Sequence, residues 1–279
     1  MRRTRSKVTV RTYCYRGRHV ESGRVPDLRR PPEQAVPRTA RPHRRRQPAS
    51  RGRPRLRPRH PHHGPGTLTT TLARRWPDAR LIAIDSSAKM VAAARERGVE
   101  AEERAVQDWE PAADTDVVVS NAVLQWVPGH QDLLRRWATE LPPGAWIAVQ
   151  VPGNFGVPSH VLVRELVAEP EWHDRLEPVR LREEDAVLDP EGYADLMSTA
   201  GCAVDAWETT YVQRLTGRDA VLEWITGTAL RPIRAALPDP DWTAFRTALA
   251  PRLAAAYPPR PDGTTWFPFR RVFFVARTP

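Results

Sequence analysis

The chain has 279 residues, 41% of them hydrophobic, which is enough for one large α/β domain with a full core or for two small domains. Its net charge of +10 is unevenly distributed, because residues 1–60 hold 20 of the 43 basic residues but 3 of the 33 acidic ones. The remainder is mildly acidic, which argues against an enzyme whose surface binds nucleic acid.

The cysteines and the apolar runs argue against a disulfide-rich, metal-binding, membrane-spanning or secreted protein. The two cysteines, Cys14 and Cys202, lie far apart in sequence and present neither a disulfide framework nor metal-ligand spacing. We find no apolar run long enough to cross a membrane and no apolar stretch of a secretory signal. We therefore expect a cytoplasmic monomer with no metal, no nucleic-acid partner and no membrane contact.

Residues 1–63 form an Arg/Pro-rich segment. Residues 1–61 show neither helical nor strand periodicity, and such a composition cannot bury enough apolar surface to offset its chain entropy, so we expect disorder. Three hypotheses compete: a basic tail for nucleic acid or acidic lipid, a targeting peptide, and translation of the wrong reading frame. The sequence GRPRLRPRH at 52–60 favours the third, since a one-base shift with GC-rich codons can encode ADLGCGPGT. We then expect the first strand and its glycine-rich loop to be missing or replaced.

From Gly64 onward, helical and strand patterns alternate. This alternation predicts a doubly wound, Rossmann-like α/β sheet with helices on both faces, and a late antiparallel pair fits a mixed sheet edge. We assign 64–279 to one domain, with helical insertions in 155–265 that we expect to form the binding site of the second substrate, the acceptor. The predicted helices are 68–75, 88–97, 130–141, 159–168, 190–200, 219–227 and 241–256, and the predicted strands are 80–84, 99–105, 117–120, 146–151, 202–215 and 267–275.

Ligands of such sheets bind at the carboxyl ends of the strands, and the first polar candidates lie there. Gly64 and Gly66 precede a helix, so the backbone can approach an anionic ligand closely, although a simple turn is the plainer alternative. Asp85 ends a strand 19 residues after Gly66, where a carboxylate can accept both ribose hydroxyls of an adenosine. Ser86 belongs to the same candidate site, and a helix cap is the alternative for this pair.

Two further strand ends carry candidates. Asp108 follows the third predicted strand and can accept the exocyclic amine of adenine, while apolar neighbours such as Trp109 cover the ring. A solvent-exposed loop is the alternative for Asp108. Asn121 ends the next strand, where backbone groups can face the sulfonium end of a cofactor.

Several motifs resemble the trans-aconitate 2-methyltransferase family of class I S-adenosylmethionine-dependent methyltransferases. They are GPGTLTT at 64–70, IDSS at 84–87, SNAVLQWVP at 120–128, QVPGN at 150–154, GCAVDAWETTY at 201–211 and GTALRP at 227–232. The resemblance implies S-adenosylmethionine as cofactor and methyl esterification of one carboxylate of trans-aconitate or a similar small polycarboxylate. It also implies that Gly64, Gly66, Asp85, Asp108 and Asn121 lie in the cofactor site. The alternatives are another small-molecule acceptor, or an inactive product whose basic tail binds nucleic acid.

A carboxylate is already ionised at neutral pH, so we expect catalysis by alignment, without a catalytic residue. The other carboxylates of the acceptor need cationic partners, for which we propose Arg231, Arg270 and Arg271. A surface charge pair is the alternative for each arginine, and core packing is the alternative for each aromatic residue. The remaining acceptor-pocket candidates are Gln125, Trp126, Tyr193, Trp224 and Tyr257.

Overall fold

The structure, a computed structural model, describes residues 7–12 and 67–279. The strands are Lys7–Thr12 (β1), Arg80–Asp85 (β2), Glu100–Glu103 (β3), Thr115–Asn121 (β4), Trp146–Pro152 (β5), Ala203–Thr216 (β6) and Thr264–Arg277 (β7). The helices are Thr67–Arg75 (α1), Ala88–Arg95 (α2), His130–Glu140 (α3), Pro158–Val167 (α4), Pro170–Leu176 (α5), Pro190–Thr199 (α6), Ala220–Thr226 (α7), Arg231–Ala236 (α8) and Asp239–Ala256 (α9).

In the described part, the strands form one mixed sheet in the order β3-β2-β1-β4-β5-β7-β6. The first five strands run parallel, and β7 pairs antiparallel with both β5 and β6. Leu72 of α1 packs against Val119 on one face, while Trp137 of α3 packs with Ile147 on the other. The predicted doubly wound sheet, with helices on both faces and a late antiparallel pair, is confirmed.

The first strand lies far from the motif that it was expected to precede. We expected this strand to be lost or replaced, and the segment Lys7–Thr12 takes the central position instead. The absence of strand periodicity that we assigned to residues 1–61 is wrong for β1. Here β1 pairs in parallel with β2 and β4 at the centre of the sheet. Its sequence KVTVRT alternates valine and threonine, β-branched residues that favour strands. The rest of the Arg/Pro-rich segment lies outside the described residues, and so do Gly64 and Gly66. The frame hypothesis therefore stays a prediction.

Two short helices were missed, and the reason is their length. Helices α5 and α8 span 7 and 6 residues, about two turns each, which is too short to show a helical period. Each carries a proline in its first turn, where the missing N–H costs nothing. In the sequence, these prolines therefore indicated a break between helices and not the start of a new one.

The buried apolar residues form two main clusters. The sheet core lies between the sheet and helices α3 and α6, and it contains Trp137, Ile147 and Phe274. The helical core is built mainly by α4, α5, α7, α8 and α9, and it contains Trp172 and Phe245. No helix of the described part is long and apolar enough to span a membrane.

Candidate functional site

The candidate site begins at one edge of the sheet, where parallel strands end side by side. Central β1 pairs with β2 on one side and with β4 on the other, and Asn121 pairs with Thr12. Asp85 is the last residue of β2, and Asn121 is the last residue of β4. Strand order therefore brings the ends that carry these two predicted residues to either side of β1.

Asp85 is a buried carboxylate with spare capacity to accept hydrogen bonds. Asp85 as a residue is only 7% exposed, and its Oδ1 accepts a hydrogen bond from the backbone N–H of Ser87 at 2.8 Å. Burial raises the pKa of Asp85 above the usual range of an aspartate, which this hydrogen bond lowers in part. A carboxylate in this position fits a ligand with neighbouring hydroxyl groups. Ser86, next in the chain, is exposed.

The loop after β3 holds the next two candidates in different environments. Asp108 is exposed, whereas the Trp109 ring is buried and meets Trp137 edge-on at 5.7 Å between ring centroids. The expectation that the Trp109 ring covers adenine is therefore corrected, because this ring packs in the sheet core. Arg136 of α3 donates to the carbonyls of Gln107 and Trp109, at 2.7 and 3.2 Å, and so fixes the loop that carries Asp108.

The turn after β4 has an unusual backbone. Ala122 has a φ of 53°, the left-handed region that a non-glycine residue rarely adopts, and its N–H donates to the carbonyl of Gln150 at 2.8 Å. Such strain persists where the surrounding structure enforces it, often at functional sites. Three residues later, Gln125 is 7% exposed, and its buried Oε1 has no hydrogen-bond partner in the described part of the chain. This turn leads directly into a cavity.

The cavity has a volume of about 400 Å³, and most of the charged residues in its wall are arginines. The turn after β4 contributes Gln125 and Trp126, two of the predicted acceptor-pocket candidates, and Trp126 is 45% exposed. Among the residues that line the cavity, Asp185 is the acidic one. The basic residues of the wall, besides His130 behind the turn, are His160, Arg164, Arg180 and Arg182.

Arg182 and Arg164 are held in place by their surroundings. The guanidinium carbon of Arg182 lies 3.5 Å from the centroid of the Trp126 ring and 5.2 Å from that of Phe155. Arg164 donates to the carbonyls of Phe155 and Arg182, at 2.8 and 3.1 Å, and pairs with Glu183 at 3.1 Å. Burial, together with these two arginines, lowers the pKa of His160 to about 4, so this imidazole is neutral at pH 7.

Three predicted aromatic residues lie elsewhere. Tyr193 is fully buried, stacked on Phe274 at 5.0 Å, and its Oη is 2.8 Å from His130 Nε2. Trp224 and Tyr257 both pack against Phe267 of the helical core, with centroids at 6.0 and 5.4 Å. The assignment of Tyr193 to the acceptor pocket is therefore corrected, because its ring is fully enclosed in the sheet core. Trp224 and Tyr257 are half-buried, and their assignment stays a prediction.

The predicted arginines also differ from one another. Arg231 is exposed at the start of α8, and its neighbours, not Arg231 itself, line the cavity. Arg270 Nε pairs with Glu208 at 2.6 Å, so it already has an anionic partner, and its assignment as an acceptor clamp stays a prediction. Arg271 Nη1 donates to Gln150 Oε1 at 2.8 Å and stays a candidate.

The cations that line the cavity were missed in the sequence. Two signals were available: His160 and Arg164 stand four residues apart on one helix, and Arg180 and Arg182 flank a leucine. Neither pattern is specific, because charged residues at these spacings are usually solvated.

The comparisons with known proteins follow this geometry. Residues 63–144 match the family model described as a methyltransferase domain, which defines the class of the protein. The chain is 64% identical over 214 residues to the trans-aconitate 2-methyltransferase of Rhodococcus jostii, covering 77% of this chain and 84% of that protein. It is 61% identical, with the same coverage of both chains, to the protein of that name from Mycolicibacterium gilvum.

These similarities show that the chain belongs to the trans-aconitate 2-methyltransferase family, as its motifs predicted. Among solved structures, it is similar to the YcgJ protein of Bacillus subtilis, with a TM-score of 0.48, 14% identity, and coverage of 77% of this chain and 89% of that one. This likeness is too distant to add to the assignment.

Proposed function

We propose that this protein transfers the methyl group of S-adenosylmethionine to a carboxylate of trans-aconitate, or of a closely related small polycarboxylate, and forms a monomethyl ester. The observation that carries the proposal is the 64% identity with a relative of that name over 84% of its length. In this proposal the protein acts on a small molecule, as a cytoplasmic monomer.

The cavity supports a polycarboxylate acceptor. Three arginine side chains, Arg164, Arg180 and Arg182, border it; Asp185 is the acidic residue of the lining, and Arg164 also pairs with Glu183. Planar guanidinium groups bind carboxylates through paired, charge-assisted hydrogen bonds. A trianionic acceptor therefore finds in this wall the cations that its non-reacting carboxylates require.

The strand-end edge supports the cofactor. Asp85 would hold the ribose hydroxyls, since it is buried and its described partner is a single backbone N–H. When bound, S-adenosylmethionine supplies an electrophilic methyl group. The turn at Ala122 leads from this edge to Gln125 and Trp126 in the cavity wall, so an acceptor in the cavity would lie beside the cofactor site.

The acceptor oxygen needs no general base, because a carboxylate is ionised at neutral pH. His160 has a pKa of about 4 and carries no charge at pH 7, so it leaves the arginines as the cations of the wall. The work of these residues is to orient the acceptor and exclude water, which can supply a large part of a rate enhancement.

The test is methyl transfer itself, measured by mass spectrometry after incubation with S-adenosylmethionine and either trans-aconitate or the monocarboxylate crotonate. We expect a monomethyl ester of trans-aconitate and a far slower reaction of crotonate, which offers no second carboxylate to the arginines. Equal rates on both acceptors, or methylation of neither, would overturn the proposed acceptor class.

A further inference from the structure

Arg271 is a partly buried cation without a matching anion. It lies on β7, and its Nη1 donates to the side-chain oxygen of Gln150 on β5 at 2.8 Å. Within the described part of the chain, no carboxylate forms an ion pair with it, and burial lowers its pKa below the usual range of an arginine. A neutral amide only partly offsets the cost of removing a guanidinium from water.

Two hydrogen-bond donors of this pair are unused. Arg271 Nε and Gln150 Nε2 are both buried and find no hydrogen-bond partner among residues 7–12 and 67–279, and Gln150 as a residue is only 6% exposed. Buried polar groups are nearly always paired, so such donors call for an explanation. A bound carboxylate would supply both the missing acceptors and the missing negative charge.

Aromatic rings keep the guanidinium in place. The centroids of Phe269 and Tyr211 lie 5.2 and 5.9 Å from the guanidinium carbon of Arg271. Contacts of this kind stabilise a cation modestly and limit its rotation. The guanidinium is thus oriented before any ligand arrives.

Other arginines of β7 are engaged differently. Arg270 is paired with Glu208, whereas Arg277 donates to the carbonyl of Gly144 and lies over the Trp146 ring at 5.9 Å. Arg277 stands at the opposite end of the strand from the candidate site. It is therefore a matched control for Arg271.

The pair of Arg271 and Gln150 lies at the strand-end edge described above. Gln150 is paired with Asn121 across the sheet, and its carbonyl accepts the N–H of Ala122. A carboxylate bound here would be adjacent to the turn that joins the cofactor edge to the cavity.

We propose that Arg271 and Gln150 form a carboxylate-binding subsite, separate from the arginines that line the cavity. The carboxylate has two possible sources, the methyl acceptor or the amino-acid end of the cofactor, and naming them rests on the proposed function. The subsite itself rests on the geometry of the two side chains.

The sharpest test is Gln150→Glu. This change keeps the size of the side chain and places a carboxylate beside Arg271. The new carboxylate would form an ion pair with Arg271 and so compete with the carboxylate of a ligand. The fold should be retained, with a thermal midpoint at or above that of the unchanged protein. The complementary change is Arg271→Gln, and its matched control is Arg277→Gln.

Three quantities are measured on each variant: the Kd of S-adenosylhomocysteine, the KM of trans-aconitate, and the thermal shift caused by trans-aconitate alone. We expect Gln150→Glu and Arg271→Gln to weaken one ligand by roughly 10- to 100-fold, the range for a lost charge-assisted hydrogen bond. A higher Kd identifies the cofactor carboxylate as the source, and a higher KM with a lost thermal shift identifies the acceptor. Arg277→Gln should change neither ligand.

If Gln150→Glu leaves both affinities within about twofold while the protein stays folded, the pair is structural and the subsite does not exist. The thermal shift also separates this failure from that of the proposed function. A chain that binds trans-aconitate through Arg271 but does not methylate it would retain the subsite and lose the proposed reaction.

Discussion

The strand-end half of the domain, residues 80–152, and the C-terminal half, residues 158–277, differ in how they make a site. In the first half, Asp85 and Asn121 come directly after buried runs, so strand topology alone brings them to one edge. In the second half, Arg164 and Arg182 reach the cavity from a helix and from a loop. The proposed cofactor-binding positions therefore follow from local order, whereas the proposed acceptor-binding positions depend on tertiary packing.

The largest effect should come from the first half, with Asp85→Asn. Asparagine keeps an oxygen for the N–H of Ser87 but loses the charge that would accept two hydroxyls. We expect the affinity for S-adenosylhomocysteine to fall roughly 100-fold or more by calorimetric titration, since hydrogen bonds to charged groups are the strong ones. Asp116→Asn, at the exposed opposite end of β4, should leave the Kd unchanged. Similar affinities for both variants would remove Asp85 from the cofactor site.

The second half is tested by Arg182→Gln. Removing the guanidinium that lies over Trp126 should raise the KM for trans-aconitate roughly 10- to 100-fold, because a desolvated carboxylate loses its cationic partner. The control is Arg175→Gln, which removes an arginine near the Trp172 ring that pairs with Asp241 outside the cavity. Steady-state kinetics decide the matter, and an unchanged KM for the Arg182 variant would mean that the cavity does not hold the acceptor.

Tyr193→Phe separates packing from binding. The hydroxyl of Tyr193 bonds to His130 and to the backbone of Leu188, so its loss leaves buried groups without partners. We expect the free energy of unfolding to fall by about 1–3 kcal/mol in urea titrations, with the KM for trans-aconitate within about twofold. A large rise in KM with unchanged stability would return Tyr193 to the acceptor pocket.

Asp85 should also show a conflict between binding and stability. Its pKa is higher in the folded protein than in the unfolded chain, so its contribution to stability is fully present below the unfolded pKa and is lost as pH rises through the folded pKa. The ligand-free Asp85→Asn variant should therefore melt at a higher temperature than the unchanged protein near pH 7. The gain should shrink as the pH falls below the unfolded pKa of aspartate, about 3.9, because Asp85 is then protonated in both the folded and the unfolded state. Thermal denaturation at a series of pH values checks this, and a gain that is the same at every pH would contradict it.

Arg270→Gln should have the smallest effect. The pair with Glu208 is partly exposed, and such surface pairs contribute about 0–1 kcal/mol. We expect nearly unchanged stability and an acceptor KM within about twofold. An increase in KM as large as that of Arg182→Gln would show that Arg270 leaves Glu208 to bind the acceptor.

The same comparison explains what the sequence could and could not predict. The buried runs of β2, β4 and β5 are apolar and bounded by turn signals, so both their existence and the position of Asp85 were predictable. Trp109 and Tyr193 were misassigned because a ring near a candidate site looks the same in sequence whether it lines a pocket or fills the core.

Two further features could not be predicted, each for its own physical reason. The central β1 was hidden within an Arg-rich segment whose average composition masked the short alternation Val8-Thr9-Val10 of this six-residue strand. Arg270 and Arg271 are neighbours in sequence, but successive residues of a strand point to opposite faces, so one meets Glu208 and the other Gln150. Only the pairing register of the strands could separate them.

The most direct test of this division of work is a double comparison on one preparation: the Kd of S-adenosylhomocysteine and the KM of trans-aconitate, measured for Asp85→Asn and Arg182→Gln. If the strand-end half binds the cofactor and the C-terminal cavity binds the acceptor, the first variant changes mainly the Kd and the second changes mainly the KM. Equal changes in both quantities for both variants would contradict it.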